Sequence, residues 1–414
     1  MTLFKNISID TNNASWDSFS RLRVSLPENV FNVQCWYSPA SIQMESYNTG
    51  LWTIPTHNTN TRMVALVSTG VGTSWMQSFL YIPYQPSKSQ FIAITWVIWA
   101  WVTGATVDMW YGDSKNGVFF RQNWATLQVV IRSYTSGSMV ERVINQSSWN
   151  IDKMLDGTWP SWITLDITKS QILIIDLQFL WMGRVRVWFD INWVIYYVHE
   201  FMNANTTLTE PYMQTGSLPI SMQVTTTSWA KTSYFKCAAV NSEWGNMDLF
   251  GYLWATPDVS ITASTRTPLV SIRPWVTFKW LENRQYCELI DIILIATGQY
   301  PVYRELVAWV TLTGATRTPV NPSFFGMEYT SVAWTISSTT NSVVIASWYI
   351  AWTGAGNSPS TVTPFILPPL ISRKFPLSLN KAGAVRNMGT YTLLVSGIWW
   401  NSVTRWVMNF KEIR

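Results

Sequence analysis

The sequence predicts an all-β protein: a jelly-roll or concanavalin-like β-sandwich followed by a second, smaller β-sandwich domain. Three observations carry this expectation. Val, Ile, Thr, Tyr, Phe and Trp dominate while helix formers are sparse, a composition suited to pleated, half-buried surfaces. From Arg21 onward, short apolar runs alternate with turn residues at spacings of about 8–12, as in sandwiches and barrels. The chain has 414 residues, too many for one core, since single cores stop growing near roughly 250–300 residues.

Residues 1–20 are polar and rich in Asn and Ser, and are expected to form an N-terminal arm. The first domain is expected over residues 21–245. Its candidate strands are Arg62–Thr69, Ser78–Tyr84, Phe91–Ile98, Val118–Gln122, Ala125–Ser133, Glu141–Ile144, Gln171–Leu180, Arg184–Asn192, Val194–Phe201 and Ser221–Thr226. The longest apolar run, Phe91–Val102, falls short of the ~20 residues that span a bilayer and is taken as a buried strand pair. Gln171–Phe201 is the best-organised stretch. QILIIDLQFL suits a strand covered on both faces, RVRVWFDI alternates basic with apolar, and IYYVHEF returns. Between Ser147 and Ser170 the sequence reads as loop. A boundary is expected near Asn241–Pro257, with the second domain over 258–414. Its strands are Leu269–Arg273, Val276–Trp280, Glu288–Ala296, Val302–Thr313, Ser342–Trp352, Tyr391–Ser396 and Val403–Phe410, divided by the Pro-rich Thr363–Pro376.

The chemistry is bounded by what is scarce. Charged residues make up 12% of the chain, against about 25% in ordinary soluble proteins, which excludes a disordered or coiled-coil chain. The net charge of +5 is not clustered, Arg373-Lys374 being the densest spot, so no nucleic-acid footprint is visible. Cys35, Cys237 and Cys287 form neither a CxxC nor an even framework. His57 and His199 are the only imidazoles. The pair His199-Glu200 lacks the second His of HExxH and lies on a strand pattern, which rules out a zincin. Asp176, Asp190 and Glu200 could face one another across a sheet, but no E-x-D-x-E occurs, and they are taken as solvated or structural. G-x-S-x-G, P-loop and dinucleotide fingerprints are missing. The N-terminus MTLFKNISIDTNN lacks a signal-peptide layout. The expectation is therefore no enzyme, no catalytic, cofactor-binding or metal-ligating residue, no cofactor, and no nucleic-acid or membrane partner.

Tryptophan is anomalous. The chain has 27 Trp but only 20 Gly, fewer glycines than loop-rich β proteins use. Asn123-Trp124 and Asn192-Trp193 stand between strand-like runs where a two-residue hairpin wants Asn-Gly, because positive φ is required there. Trp159 and Trp162 interrupt what otherwise reads as a Gly/Pro/Ser loop. Either these tryptophans are exposed platforms for sugar rings, or they stand where the natural protein has glycine, the codon UGA being read as glycine in the source.

Several strings resemble a family of uncharacterised tailed-bacteriophage structural proteins from environmental genomes. Trp16–Ser25 (WDSFSRLRVS) is similar to its D-A-F-G-R-L-R-V-S, and Tyr81–Gln90 (YIPYQPSKSQ) to its Y-x-P-Y-Q-P-G-K-S-Q. Asn145–Thr164 resembles N-Q-S-D-W-N-I-D-K-L-D-G-T-G-P-S-G, Leu180–Phe201 resembles L-G-V-G-R-V-R-V-G-F…I-Y-Y-V-H-E-F, and Asn409–Arg414 resembles N-W-R-E-I-R. The likeness is specific over roughly residues 16–220 and weaker beyond. The family has glycine at the positions of Trp159, Trp162, Trp181 and Trp188, and Trp at Trp149. The resemblance implies a virion component with a lectin-like jelly roll and no established catalytic residue. It would be a capsid-associated fibre, decoration or tail appendage subunit that assembles with other virion proteins and with copies of itself, a trimer included. The alternative is a carbohydrate-binding adhesin that contacts a host surface glycan, and the third reading is a glycan depolymerase.

Overall fold

A computed structural model describes residues 27–52 and 54–243 and, beyond them, most of 252–413. The expected N-terminal arm lies outside the described residues. The chain divides into two units, Met1–Ser78 with Ile82–Asp248, and Leu249–Arg414 with Phe79–Tyr81.

The first unit is all strand apart from one 3-10 turn at Gln146–Ser148 among the described residues. Its strands are β1 (Glu28–Gln34), β2 (Met44–Trp52), β3 (Thr56–Asn58), β4 (Met63–Ser78), β5 (Gln90–Val97), β6 (Ala105–Gly112) and β7 (Gly117–Asn123). They continue with β8 (Thr126–Ser133), β9 (Val140–Asn145), β10 (Gln171–Leu177), β11 (Val185–Ile191), β12 (Val194–Phe201), β13 (Ile220–Thr226) and β14 (Lys231–Ser242). All pair antiparallel in one curled sheet, β12-β11-β10-β5-β14-β4-β13-β6-β7-β8-β9, with β1 added on β14 and β2 and β3 on β4.

The long β4 makes the sheet fold back on itself. Its first half, Val64–Ser68, pairs with β14, and its second half, Gly72–Gln77, pairs with β13. The two halves belong to two layers, whose inner faces carry alternating apolar residues: Ile92, Ile94 and Trp96 on β5 against Val107 and Met109 on β6 and Phe120 on β7. Trp96 stacks on Phe120 across the layers at 5.4 Å between ring centroids, and Phe189 meets Phe120 edge-on at 5.4 Å. This is the jelly-roll sandwich that the sequence predicts.

The second unit builds, among its described residues, two short two-stranded sheets and two larger ones. One holds Tyr252–Ala255, Val259–Ala263, Tyr286–Thr297, Thr363–Ile366 and Ser402–Ile413, and the other centres on Thr267–Pro274, Tyr391–Gly397 and Val302–Ala308. Val270, Ile272, Leu306 and Leu393 of one sheet share a core with Leu289, Ile292, Met408 and Phe410 of the other. It is a smaller β-sandwich.

Several expected elements are corrected. Phe91–Val102 is not a strand pair: β5 ends at Val97, and Trp99 and Trp101 are exposed in the loop that follows. Ser78–Tyr84 is no strand of its own, since Ser78 ends β4 and Ile82 makes only an isolated bridge to Leu218. Val276–Trp280 is instead a tight hairpin between Thr277–Phe278 and Leu281–Glu282. Val302–Thr313 is two strands, Val302–Ala308 and Thr311–Thr313. Thr363–Ile366 within the Pro-rich stretch is a strand, and the rest of that stretch lies outside the described residues.

Candidate functional site

The residues singled out by sequence are brought together only in part. On the outer face of β10, β11 and β12, Asp176, Arg186 and Glu200 stand opposite one another in register. Asp176 pairs with Arg186 at 2.6 Å with neither side chain exposed, and Glu200 lies 3.4 Å from Arg184. Arg186 also covers the ring of Tyr197, which stacks on Trp188. Each carboxylate therefore has its own guanidinium. Asp190, farther along β11, is half-buried at the register position of Ile195. His199 faces the interior, where its Nδ1 accepts the Asn150 N–H at 3.2 Å. Burial, aided by Arg142, pushes it down to about 4. His57 shares a hydrogen bond between its Nε2 and the Cys35 carbonyl. Burial pushes the Cys35 thiol up to about 12. The three cysteines are free, and no metal-binding cluster of His, Cys, Asp and Glu occurs among the described residues.

A second polar cluster was not legible in the sequence. On the outer face of β6–β9, Arg121 reaches Asp108 at 2.7 Å on one side and Glu141 at 2.7 Å on the other, and Arg132 also holds Glu141 at 2.6 Å. Arg132 lies over Trp110 and Phe119, which pack with Trp75 and Val130. Burial raises the Asp108 carboxyl against the opposing Arg121. Burial works to raise Glu141 as well, but hydrogen bonds from Arg121 and Arg132 outweigh it and hold Glu141 low. The four residues are 9 to 33 positions apart, on four different strands, so no short motif announces them.

On the inner side of the same edge, a cleft of about 260 Å³ opens between the β8–β9 hairpin and the Thr207–Tyr212 loop. Five hydroxyl residues, Ser133, Thr135, Ser136, Thr207 and Thr209, line it together with Arg142, Glu210 and Tyr212. Arg142 alternates with Glu141 on β9 and so points to the opposite face of the sheet. Its Nη2 donates to Asn203 Oδ1 at 2.5 Å, its Nε is buried without a hydrogen-bond partner, and its guanidinium covers Phe201 at 4.7 Å. No carboxylate pairs with it among the described residues. Burial lowers its affinity for the proton, and also raises the buried Tyr212 phenol, whose OH donates to the Gln178 carbonyl. A desolvated cation beside hydroxyls in an open cleft is equipped to receive an anionic, hydroxyl-bearing ligand.

The Trp positions divide cleanly. Trp188 and Trp149 are buried packing residues. Trp124, Trp162, Trp181 and Trp193 are exposed and have φ of 53°, 62°, 63° and 67°. Trp159 is exposed as well. The Asn123-Trp124 turn is shifted by one: Asn123 pairs with Thr126, so the central residues are Trp124 and Ala125. Positive φ at the first central position makes this the II′ arrangement, in which glycine occupies that place.

Fold and site define a jelly-roll β-sandwich protein with a polar cleft at one edge. No protein-family model and no curated protein matches the chain. Solved structures that it resembles include the Bacillus licheniformis beta-glucanase, at 11% identity over 52% of this chain and 98% of that one, with a TM-score of 0.32. A legume lectin-like domain from Entamoeba histolytica matches at 9% identity over 52% and 98%, TM-score 0.32. A Bacteroides ovatus glycoside hydrolase family 16 endo-glucanase matches at 7% identity over 51% and 99%, TM-score 0.33. The expectation that the chain is no enzyme is corrected on chemical grounds, since it rested on scarce histidine and a missing carboxylate motif. The physical reason is that glycoside hydrolysis runs on carboxylates, so neither a shortage of histidine nor a missing one-strand motif excludes it.

Proposed function

We propose that this protein is a carbohydrate-binding component of a bacteriophage particle, and that its first unit seats a glycan in the Arg142 cleft. The observation that carries the reading is the half-buried Arg142 guanidinium, which has an amide but no carboxylate partner among the described residues, in a cleft lined by hydroxyl side chains. A carboxylate-bearing sugar supplies the missing counter-charge, and its ring hydroxyls match Ser133, Thr135 and Thr209. The placement on a virion, and partners among other virion proteins and copies of this chain, rest on the sequence resemblance. Titration calorimetry with oligogalacturonate, sialyllactose and a neutral β-glucan oligomer tests the reading. Binding of an acidic sugar that Arg142→Met weakens by at least about tenfold is expected. No binding of either acidic sugar, or binding unchanged by Arg142→Met, overturns it.

A second reading, glycan hydrolysis, is favoured by Asp108 and Glu141. They share one face, and their surroundings push their acidities apart, as in an acid and its partner carboxylate. Arg121 already satisfies both, so the reaction requires a substrate that displaces this guanidinium. Release of reducing ends from a polysaccharide, lost in both Asp108→Asn and Glu141→Gln, supports this reading. Release that survives either substitution sinks it.

A further inference from the structure

Among the described residues, six tryptophans occupy the left-handed backbone region that five glycines also occupy. Trp99, Trp124, Trp162, Trp181, Trp193 and Trp280 have φ between 53° and 72°. The glycines Gly50, Gly104, Gly137, Gly157 and Gly314 have φ between 61° and 79°. Among the described residues, six of the fifteen non-glycine residues with positive φ are Trp, although Trp supplies only 27 of the chain's 414 residues. In that region the Cβ crowds the backbone, which makes it rare for bulky side chains, and Trp lacks the short polar side chain that lets Asn or Asp visit it.

Two of the six sit at two-residue hairpins of the I′ kind. Ile191 pairs with Val194 around Asn192-Trp193, and Phe278 pairs with Leu281 around Lys279-Trp280, with both central residues at positive φ in each case. Trp124 opens the third tight hairpin at the position where II′ turns place glycine. The indoles do little once there: Trp193 is 95% exposed and Trp280 99%. Trp99 and Trp181 touch Tyr234 and Phe179, at 6.1 and 5.1 Å, yet remain half-exposed. By contrast, Trp96, Trp110, Trp149 and Trp188 are buried and none has positive φ.

We infer that the protein as made in its source carries glycine at positions 99, 124, 162, 181, 193 and 280, because the gene is translated in a code that reads UGA as glycine. Tryptophan at the buried positions is authentic, Trp188 included, against the glycine that the resemblance implies there. The glycan site then works without indole platforms at the hairpin tips, and only a host with the reassigned code produces the chain in its natural form. This inference does not depend on the Arg142 reading.

Peptide mass spectrometry of the chain isolated from its own source tests it directly. Each of the six sites is expected to show a residue mass lighter by the difference between an indolylmethyl group and a hydrogen, while Trp149 and Trp188 keep the tryptophan mass. Tryptophan at any of the six overturns the inference. Thermal unfolding of recombinant chain supplies an independent arm. The sixfold Trp→Gly variant is expected to melt at a higher temperature than the sequence as written, and a lower melting temperature counts against the inference.

Discussion

Asp176 and Arg186 form an ion pair 2.6 Å long in which neither side chain reaches solvent. Removing one partner leaves the other charge buried without its ion-pair counterpart, which typically costs roughly 3–5 kcal/mol. Asp176→Asn is therefore expected to lower the denaturation midpoint sharply, whereas the double change Asp176→Leu with Arg186→Met costs far less. Equal losses in the single and double variants, measured by urea unfolding, contradict this account.

Acidification destabilises the first unit through His199. Burial depresses its pKa from 6.5 to about 4, so the unfolded chain takes up a proton that the folded chain refuses. Stability contributed this way is complete above pH 6.5 and is lost as the pH falls toward 4, by up to roughly 3 kcal/mol. His199→Gln is expected to flatten the stability curve over this window. A curve of unchanged slope shows that other groups carry it.

Relief of turn strain is measurable one site at a time. Trp193→Gly and Trp280→Gly are each expected to raise stability by about 1 kcal/mol, the cost of a Cβ in the left-handed region less the added unfolded-state entropy of glycine. Trp193 lies in the first unit and Trp280 in the second, so each effect is read from the unfolding of its own unit. Trp188→Gly runs the other way, removing a buried ring stacked on Tyr197, at a cost of about 3–5 kcal/mol.

Arg142→Met is expected to weaken binding of an acidic sugar at least tenfold, about 1.4 kcal/mol, and to leave the fold intact. Circular dichroism checks the fold and calorimetry the affinity. A variant that binds as well as the parent removes Arg142 from the site.

Self-association is expected from the exposed apolar residues at the edge strand β9, where Val140 and Val143 face solvent and exposed Met139 precedes the strand. Multi-angle light scattering is expected to show an oligomer at micromolar concentration, reduced by Val143→Lys. A stable monomer defeats this expectation.

Much of the sandwich was legible because β10 is a nearly continuous apolar run, β11 opens by alternating basic with apolar residues, and the β11–β12 turn is marked by Asn192. Two of the strands that sequence reasoning passed over carry buried charges. β14 begins with Lys231, which is buried because its Nζ donates to the Trp99 and Ala100 carbonyls and to Gln122. β6 carries Asp108, buried because Arg121 sits beside it. Partners on distant strands make these charges tolerable, and a local pattern holds no record of them. Arg142 was missed for a related reason: it looks like an ordinary strand cation until the Thr207–Tyr212 loop closes over it from more than sixty residues away.

The position of β14 has a consequence for how the chain is made. It lies between β4 and β5 and also carries β1, yet it is the last strand of its unit to be synthesised. Until residue 242 has left the ribosome, β4 and β5 each present an open edge with no neighbour to close it. The nascent sandwich cannot be finished piecemeal, so a product that stops short of Lys231 is two incomplete half-sheets rather than a smaller working protein.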